Sequence, residues 1–225
     1  EINRNKEMVW RHKDPGASHD ADRLSNGNTL YNLGWTQKGD DVIREIDPNG
    51  KIIWSWNGLS EFDKEPFSSI DREGWMHANS VSRLENGNTL VSIRNFNTIA
   101  EIDKNGKAIR KWTFNSYDKH TRLKTVGKIK GSRNHEPEIL QNGNMLLALR
   151  RPNRFIEFNT TTEEIVWSWE HPIGEKELRT NRDANRLPNG NTLGTAANKI
   201  IEISPKGQIV WQILTSGGTK NRRKF

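Results

Sequence analysis

One short motif recurs four times along this chain of 225 residues. It reads NGNTL at three places and NGNML at the fourth, and a leucine lies three residues before each turn glycine. The turn glycines, spaced 60, 56 and 47 residues apart, are Gly27, Gly87, Gly143 and Gly190. Each motif is followed by a second one close to E-I-D-x-x-G-x-I-x-W. A repeat of this length is one supersecondary unit that buries its apolar faces only against its neighbours.

Each repeat contains short runs of Val, Ile and Leu between turn signals, which predicts four strands. In the second repeat, Asn86-Gly87 and Asn105-Gly106 predict two-residue hairpin turns in which both central residues have positive φ. Repeats of roughly 40–50 residues with four strands are typical of β-propeller blades, whereas helical repeats of similar length lack paired turns. We therefore expect an all-β fold, a β-propeller of four-stranded antiparallel blades.

The repeats also predict how the domain is organised. Residues 1–10 read as the second half of a blade, and residues 214–225 read as a polar basic tail. Complete blades are expected at about 17–56, 75–114, 133–169 and 180–213. Because propellers close with about four to eight blades, we interpret residues 1–225 as a single β-propeller domain that is a fragment of a larger ring. A closed ring of five blades is the alternative.

Composition limits the classes of function and partner. The net charge of +7 and the sequence pI of about 9.7 favour anionic partners. No stacking aromatics are interleaved with the basic clusters, so we do not expect nucleic acid as a partner. The chain has no cysteine, which excludes thiol chemistry, disulfides and cysteine metal sites. No apolar run is long enough for an integral membrane segment.

Tryptophan is frequent, with nine residues in the chain. Five of them align at the end of the fourth strand of each repeat, namely Trp10, Trp54, Trp112, Trp167 and Trp211. Trp56 and Trp169 follow two residues later, on the same strand face. A row of tryptophans is suited to stacking on carbohydrate, but recurrence in every repeat favours packing between blades. We assign these residues to the core.

The informative polar residues lie at the start of each first strand, eight to ten residues before the turn glycine. They are His19-Asp20, His77 to Ser80, His135-Glu136 and Arg182-Asp183. The first strand of each propeller blade lines the central channel, so these residues are expected to converge near the axis at one end. With two-residue turns, register places Asn79 opposite Arg94 and His135 opposite Arg150.

This register predicts a small, positive channel mouth, with Asn79, Arg150 and Arg182 as substrate-binding residues. Imidazoles also suit a Zn or Cu site, and histidines at this position join blades by hydrogen bonds in WD repeats. Arginine repels a cation and binds sulfate or phosphate in a bidentate manner. The pattern therefore favours an anion site over a metal site.

These residues resemble the PAPS-independent arylsulfate sulfotransferases. The similarity lies in H-D before L-x-N-G-N-T-L, in H-x-N-S followed by S-I-R-N, and in a third histidine before L-x-N-G-N. It extends from about His19 to Trp211. The resemblance implies a six-bladed propeller, usually exported to the periplasm or beyond the cell, that moves a sulfuryl group between phenols. It further implies that His19, His77 and Arg94 bind the sulfuryl oxygens and that His135 is the nucleophile.

The implied activity is that of an enzyme with no cofactor and no metal, whose partners are small aryl sulfates and phenols. Fixed positive donors suit the dispersed charge of a sulfuryl transition state, and a neutral imidazole is a competent nucleophile that divides the transfer into two half-reactions. The alternative is a propeller that binds an anionic ligand or a protein partner without turnover, because fold alone does not determine function. The sequence leaves the oligomeric state open.

Overall fold

The computed structural model describes residues 1–71, 74–119, 121–170, 181–196 and 199–214. Most of the predicted basic tail, 214–225, lies outside the described residues. Within these ranges the chain forms four separate four-stranded antiparallel sheets, each a meander in chain order. The predicted all-β propeller of four-stranded blades is therefore confirmed, and we call the sheets blades one to four.

The strands have the following bounds. Blade one consists of β1 (Ala21–Arg23), β2 (Thr29–Asn32), β3 (Ile43–Ile46) and β4 (Ile52–Trp56). Blade two consists of β5 (Ala78–Arg83), β6 (Thr89–Ile93), β7 (Thr98–Ile102) and β8 (Ala108–Thr113). A hairpin of β9 (Ser116–Asp118) and β10 (Leu123–Thr125) follows. Blade three consists of β11 (Ser132–Ile139), β12 (Asn144–Arg151), β13 (Asn153–Asn159) and β14 (Ile165–Glu170). Blade four consists of β15 (Asp183–Arg186), β16 (Thr192–Thr195), β17 (Lys199–Ile203) and β18 (Ile209–Leu214).

Two short helices accompany the strands in the described ranges, α1 (Leu59–Phe62) and a 3-10 helix at Arg94–Phe96. Neither has the length or the apolar run that crossing a membrane would require. The first strands of successive blades lie beside one another, β1 against β5, β5 against β11 and β11 against β15. Residues at the starts of these strands therefore lie near one another.

The Asn-Gly turns differ from the two-residue turns that the sequence predicted. The Gly87 N–H donates to the Leu84 carbonyl at 2.9 Å, and the Leu84 N–H donates to the Asn88 carbonyl at 2.8 Å. Of the central pair Gly87 alone has positive φ, at 86°. The Asn86 Oδ1 accepts the Asn88 N–H at 2.9 Å, which holds the first part of the turn in a right-handed conformation. The hairpin loop thus has three residues and shifts the register by one.

Three tryptophans join neighbouring blades as predicted, through their indole N–H groups. Trp56, Trp112 and Trp169 are buried, and their Nε1 atoms donate to backbone carbonyls of the next blade at 2.9–3.0 Å. The acceptors lie in the turn between the third and fourth strands, at Gly106, Thr160 and Gly207. Residues 1–10 make a similar contact, because Trp10 Nε1 donates to the Pro48 carbonyl at 3.1 Å.

Two details of the tryptophan alignment were wrong. Trp112 lies opposite Ile99, which is the position of Trp56 opposite Ile43, and Arg110 occupies the position predicted for a tryptophan. Trp211 is not in the core, since 48% of its surface is exposed on β18. The reason is that no described residue packs over the outer face of blade four in the way that each preceding blade is covered.

A second recurring contact involves Glu, Arg and Trp positions that recur in the repeats. Glu45 on β3 accepts Asn28 Nδ2 within its own blade at 2.7 Å and Arg83 of the next blade at 2.5 Å. The Arg83 guanidinium also lies over the Trp54 ring, 5.3 Å from its centroid. The same arrangement joins blades three and four through Glu157, Arg186 and Trp167. We call it the Glu–Arg–Trp clasp.

Candidate functional site

The predicted histidines lie at one end of the adjacent first strands. His19 and His77 precede β1 and β5, with φ of 69° and 48°, and their ring centroids are 4.9 Å apart. His135 lies within β11, where 4% of its surface is exposed. His77 is equally buried, whereas His19 is exposed. The three rings therefore belong to one region that is open to solvent on the His19 side.

The predicted pairing of Asn79 with Arg94 is wrong. Asn79 falls in a bulge, since Ala78 pairs with Ile93 and Ser80 with Ser92. The Arg94 N–H instead donates to the His77 carbonyl at 3.3 Å, at the start of the 3-10 helix. The physical reason is the three-residue turn together with this bulge, which brings Arg94 two residues closer to His77 than predicted.

The predicted pairing of His135 with Arg150 is also wrong in detail. His135 lies opposite Ala148, and the register changes between His135 and Glu138 because Glu136 and Pro137 form a bulge. Arg150 is two residues from Ala148 and therefore shares the strand face on which His135 lies. The side chains still approach one another, diagonally rather than directly.

The His135 imidazole is neutral. Burial, the largest cause, lowers its pKa to about 2. The positive groups that lower it further, in decreasing order, are Arg150, Arg182, Arg94 and His19. The ring is therefore uncharged at neutral pH, with one nitrogen carrying a proton and the other a lone pair. Four other predicted site residues therefore lie close enough to His135 to lower its pKa, namely Arg150, Arg182, Arg94 and His19.

The arginines are crowded. Burial lowers the pKa of Arg150 to about 10, and the neighbouring guanidinium groups of Arg182 and Arg94 add to the decrease. Arg94 is 8% exposed. The Nε of Arg150 is buried without a hydrogen-bond partner among the described residues. Several cations held together in a poorly solvated place attract an anion, and planar guanidinium groups suit its oxygens.

Asn79 contacts His135 directly. Its Nδ2 lies 3.0 Å from His135 Nδ1 and donates to the Asn134 carbonyl at 2.9 Å. Because an amide nitrogen only donates, Nδ1 of His135 accepts, and the neutral ring carries its proton on Nε2. Neither Nε2 of His135 nor Oδ1 of Asn79 has a partner within the described part of the chain. Asn79, predicted to bind substrate, has its amide nitrogen occupied by these protein contacts.

A cluster of carboxyl groups adjoins the basic groups. Asp20, Asp22, Glu136 and Asp183 line a cavity of about 290 Å³ between the first strands. Burial, reinforced by the other three acids, raises the pKa of Glu136 to about 9, so this carboxyl is protonated at neutral pH. Asp20 also accepts the Val81 N–H of the next blade at 2.9 Å. This hydrogen bond to an acid next to His19 joins blades one and two.

Trp35 is a residue of this region that sequence reasoning missed. It lies in the loop between β2 and β3, outside the repeat pattern, and 53% of its surface is exposed. Its ring centroid lies 4.3 Å from that of His77 and 5.6 Å from that of His19. No spacing in the sequence indicates this contact. In the described ranges there is no group of three His, Cys, Asp or Glu side chains arranged to hold a metal ion.

Comparisons with known proteins agree with the fold and the motif. The family model for arylsulfotransferase (ASST) matches residues 6–119. A search of curated proteins finds no match. Among solved structures, a Bacteroides caccae protein of unknown function has a TM-score of 0.59 and 18% identity, over 95% of this chain and 73% of that one.

Other solved propellers are similar over most of this chain. Virginiamycin B lyase from Staphylococcus aureus has a TM-score of 0.55 and 16% identity, over 87% of this chain and 55% of the lyase. The WD40 β-propeller domain of Doa1 has a TM-score of 0.50 and 12% identity, over 79% of this chain and 47% of that one. The chain thus spans about half the length of these two structures. Likeness at such low identity shows the fold alone.

Proposed function

The chain belongs to the arylsulfotransferase family, and from this membership we propose that it transfers a sulfuryl group from an aryl sulfate ester to a phenolic acceptor. The observation that carries the proposal is the neutral, buried His135 within reach of Arg94, Arg150 and Arg182. A neutral imidazole is a nucleophile, and the guanidinium groups stabilise the oxygens of the group it attacks.

The reaction has two steps that balance without a cofactor. In the first, the lone pair of His135 attacks sulfur, the sulfur–oxygen bond to the aryl group breaks, and the aryl oxide leaves with the bonding electrons and takes up a proton from solvent. In the second, the acceptor phenol gives its proton to solvent, its oxygen attacks sulfur, and the sulfur–nitrogen bond breaks with its electrons returning to His135. Arg94, His19 and His77 contact the sulfuryl oxygens in this scheme.

The Asn79 contact sets a condition on the first step. Attack by Nε2 requires that its lone pair be free and that the ring proton reside on Nδ1. In the present arrangement Asn79 Nδ2 donates to Nδ1, so the amide must turn over and present Oδ1 as an acceptor for Nδ1–H. We include this turn in the proposed mechanism: it breaks the bond from Nδ2 to the Asn134 carbonyl, and Oδ1 has no other partner among the residues described.

The same contact favours a second candidate function. With its proton on Nε2, His135 is a hydrogen-bond donor directed at an anion, as a binding module that lacks turnover would need. We keep this alternative for that reason. As the resemblance implies, we also propose that the substrates are small aryl sulfates and phenols and that the protein acts outside the cytoplasm.

A single-turnover experiment distinguishes the two functions. The protein is mixed with an activated phenyl sulfate donor and no acceptor, and phenol release and intact mass are followed. Catalysis predicts a burst of phenol and retention of one sulfo group, both absent in His135→Ala. His19→Ala should slow the burst and leave the labelled residue unchanged. Binding of the donor without any gain in mass would support the binding module instead.

A further inference from the structure

Trp35 is a large apolar side chain placed directly against the proposed sulfuryl site. About half of its surface is open to solvent, and its ring forms a T-shaped pair with that of His77 at an interplanar angle of 72°. A single exposed tryptophan on a protein surface is unremarkable by itself. Trp35 differs because it touches both His77 and His19.

The loop that carries Trp35 is held in place by hydrogen bonds. The Trp75 N–H donates to the Thr36 carbonyl at 2.9 Å, and the Thr36 hydroxyl donates to the Leu33 carbonyl at 3.1 Å. These bonds tie Thr36, the residue that follows Trp35, to the segment before β5 and to the residue that follows β2. The indole is therefore presented in a defined position.

Two glycines permit this close arrangement. A Cβ at Gly74, where φ is 79°, would lie 2.8 Å from the Trp35 carbonyl carbon and 3.0 Å from its Cα. A Cβ at Gly34 would lie 2.7 Å from His19 Nδ1. A side chain at Gly74 would displace the Trp35 backbone, and one at Gly34 would displace the His19 ring or the Ala78 carbonyl. Glycine is therefore the residue that fits at both positions without displacing these neighbours.

An aryl sulfate has two parts with different requirements, an anionic head and a flat apolar ring. The crowded guanidinium groups of Arg94, Arg150 and Arg182 suit the head. Of the aromatic side chains that adjoin the site histidines in the described residues, Trp35 is the one with an extensive exposed surface. Aromatic rings stack or meet edge to face at centroid distances of 4.5–7 Å.

We propose that the exposed face of Trp35 is the arene platform of this site, on which the aromatic ring of the sulfate ester packs while the sulfuryl group lies at His77. Trp35 is then a specificity-determining residue that selects aryl over alkyl sulfates. The inference rests on the proposed function for the placement of the sulfuryl group. It concerns binding, so it is tested separately from turnover.

The test compares the affinity of two probes, phenyl sulfate and inorganic sulfate, by titration calorimetry. In the unmodified protein phenyl sulfate should bind more tightly than sulfate. Trp35→Ala should weaken phenyl sulfate by about 2- to 12-fold, the range expected for one aromatic pair, and leave sulfate unchanged. Trp35→Phe should retain most of the preference. Trp211→Ala removes another half-exposed tryptophan, on the outer face of blade four, and should change neither affinity.

Each outcome decides the inference. Equal binding of the two probes by the unmodified protein would overturn the platform. An equal loss of affinity for both probes in Trp35→Ala would also overturn it, because it would show that the indole only supports the histidines. A preference for phenyl sulfate that depends on Trp35, in a protein that never acquires a sulfo group, would establish the platform and refute the sulfotransferase. The two proposals therefore fail on different measurements.

Discussion

The amide nitrogen of Asn79 lies 3.0 Å from Nδ1 of His135, and a second bond to the Asn134 carbonyl holds that amide in place. The two contacts together assign the proton of the neutral imidazole to Nε2. The contact of Asn79, a residue in a β-bulge, thus determines whether Nε2 of His135 donates a hydrogen bond or offers a lone pair.

We expect nitrogen NMR of labelled histidine to show the Nε2–H form of His135 in the unmodified protein. Asn79→Asp should convert it to the Nδ1–H form, because a carboxylate only accepts hydrogen bonds. Asn79→Ala should leave Nδ1 of a buried ring without a partner and lower the free energy of unfolding by about 1–3 kcal/mol. The same tautomer in all three proteins would show that Asn79 does not control it.

The pH dependence of His135 should be unlike that of an ordinary histidine. Its pKa is about 2 in the folded protein and near 6.5 when unfolded, so the unfolded state takes up a proton that the folded state does not. The free energy of unfolding should therefore fall as the pH decreases below about 6.5. His135→Gln should flatten this dependence in denaturant titrations between pH 7 and pH 4. An NMR titration of His135 with a midpoint near 6.5 would contradict the buried, neutral ring.

Glu136 should have the opposite dependence. Its pKa is about 9 when folded, against 4.5 when unfolded, so its contribution to stability is present below about pH 4.5 and is lost as the pH rises towards 9. Glu136→Gln should raise the free energy of unfolding by about 1–3 kcal/mol at pH 8 and have little effect at pH 4. Glu85→Gln, in an exposed turn, is the matched control and should leave the free energy of unfolding unchanged at both pH values. Equal effects at the two pH values would rule out a raised carboxyl pKa.

The tryptophans of the fourth strands should differ in their effect on stability according to what covers them. Trp56→Phe removes a buried indole and its 2.9 Å hydrogen bond to the Gly106 carbonyl, and it should cost about 1–3 kcal/mol. Trp211→Phe, on a strand whose residues are all exposed, should change stability by less than about 0.5 kcal/mol. Thermal unfolding of the two variants tests this. Comparable losses would mean that the outer face of blade four is covered in solution.

The fold could be predicted from the sequence because each repeat carries its own strand and turn signals and the repeat occurs four times. The sequence was not sufficient for register. The Asn86 side chain bonds to the Asn88 N–H and converts a two-residue turn into one of three residues, and an Asn-Gly pair is compatible with both. Trp112 was placed two residues out of alignment for a related reason, because Arg110 replaces the tryptophan on which the alignment relied.

The sequence predicted which residues lie together at the candidate site, but it did not predict their contacts. First strands line a propeller channel, so His19, His77, His135 and Arg182 could be grouped from their positions alone. The bulges at Asn79 and at Glu136-Pro137 change the register, and no spacing in the sequence indicates their positions. Trp35 lies in a loop without repeat partners, and only the fold brings it against His77.

The indole hydrogen bonds between blades also bear on how the chain is synthesised. Trp56 donates to a residue 50 positions later in the chain, Trp112 to one 48 positions later and Trp169 to one 38 positions later. Each outer strand therefore emerges from the ribosome before the carbonyl that its tryptophan will bind has been made. Folding during translation should accordingly lag behind elongation by about one blade, with every newly made sheet stabilising the sheet before it.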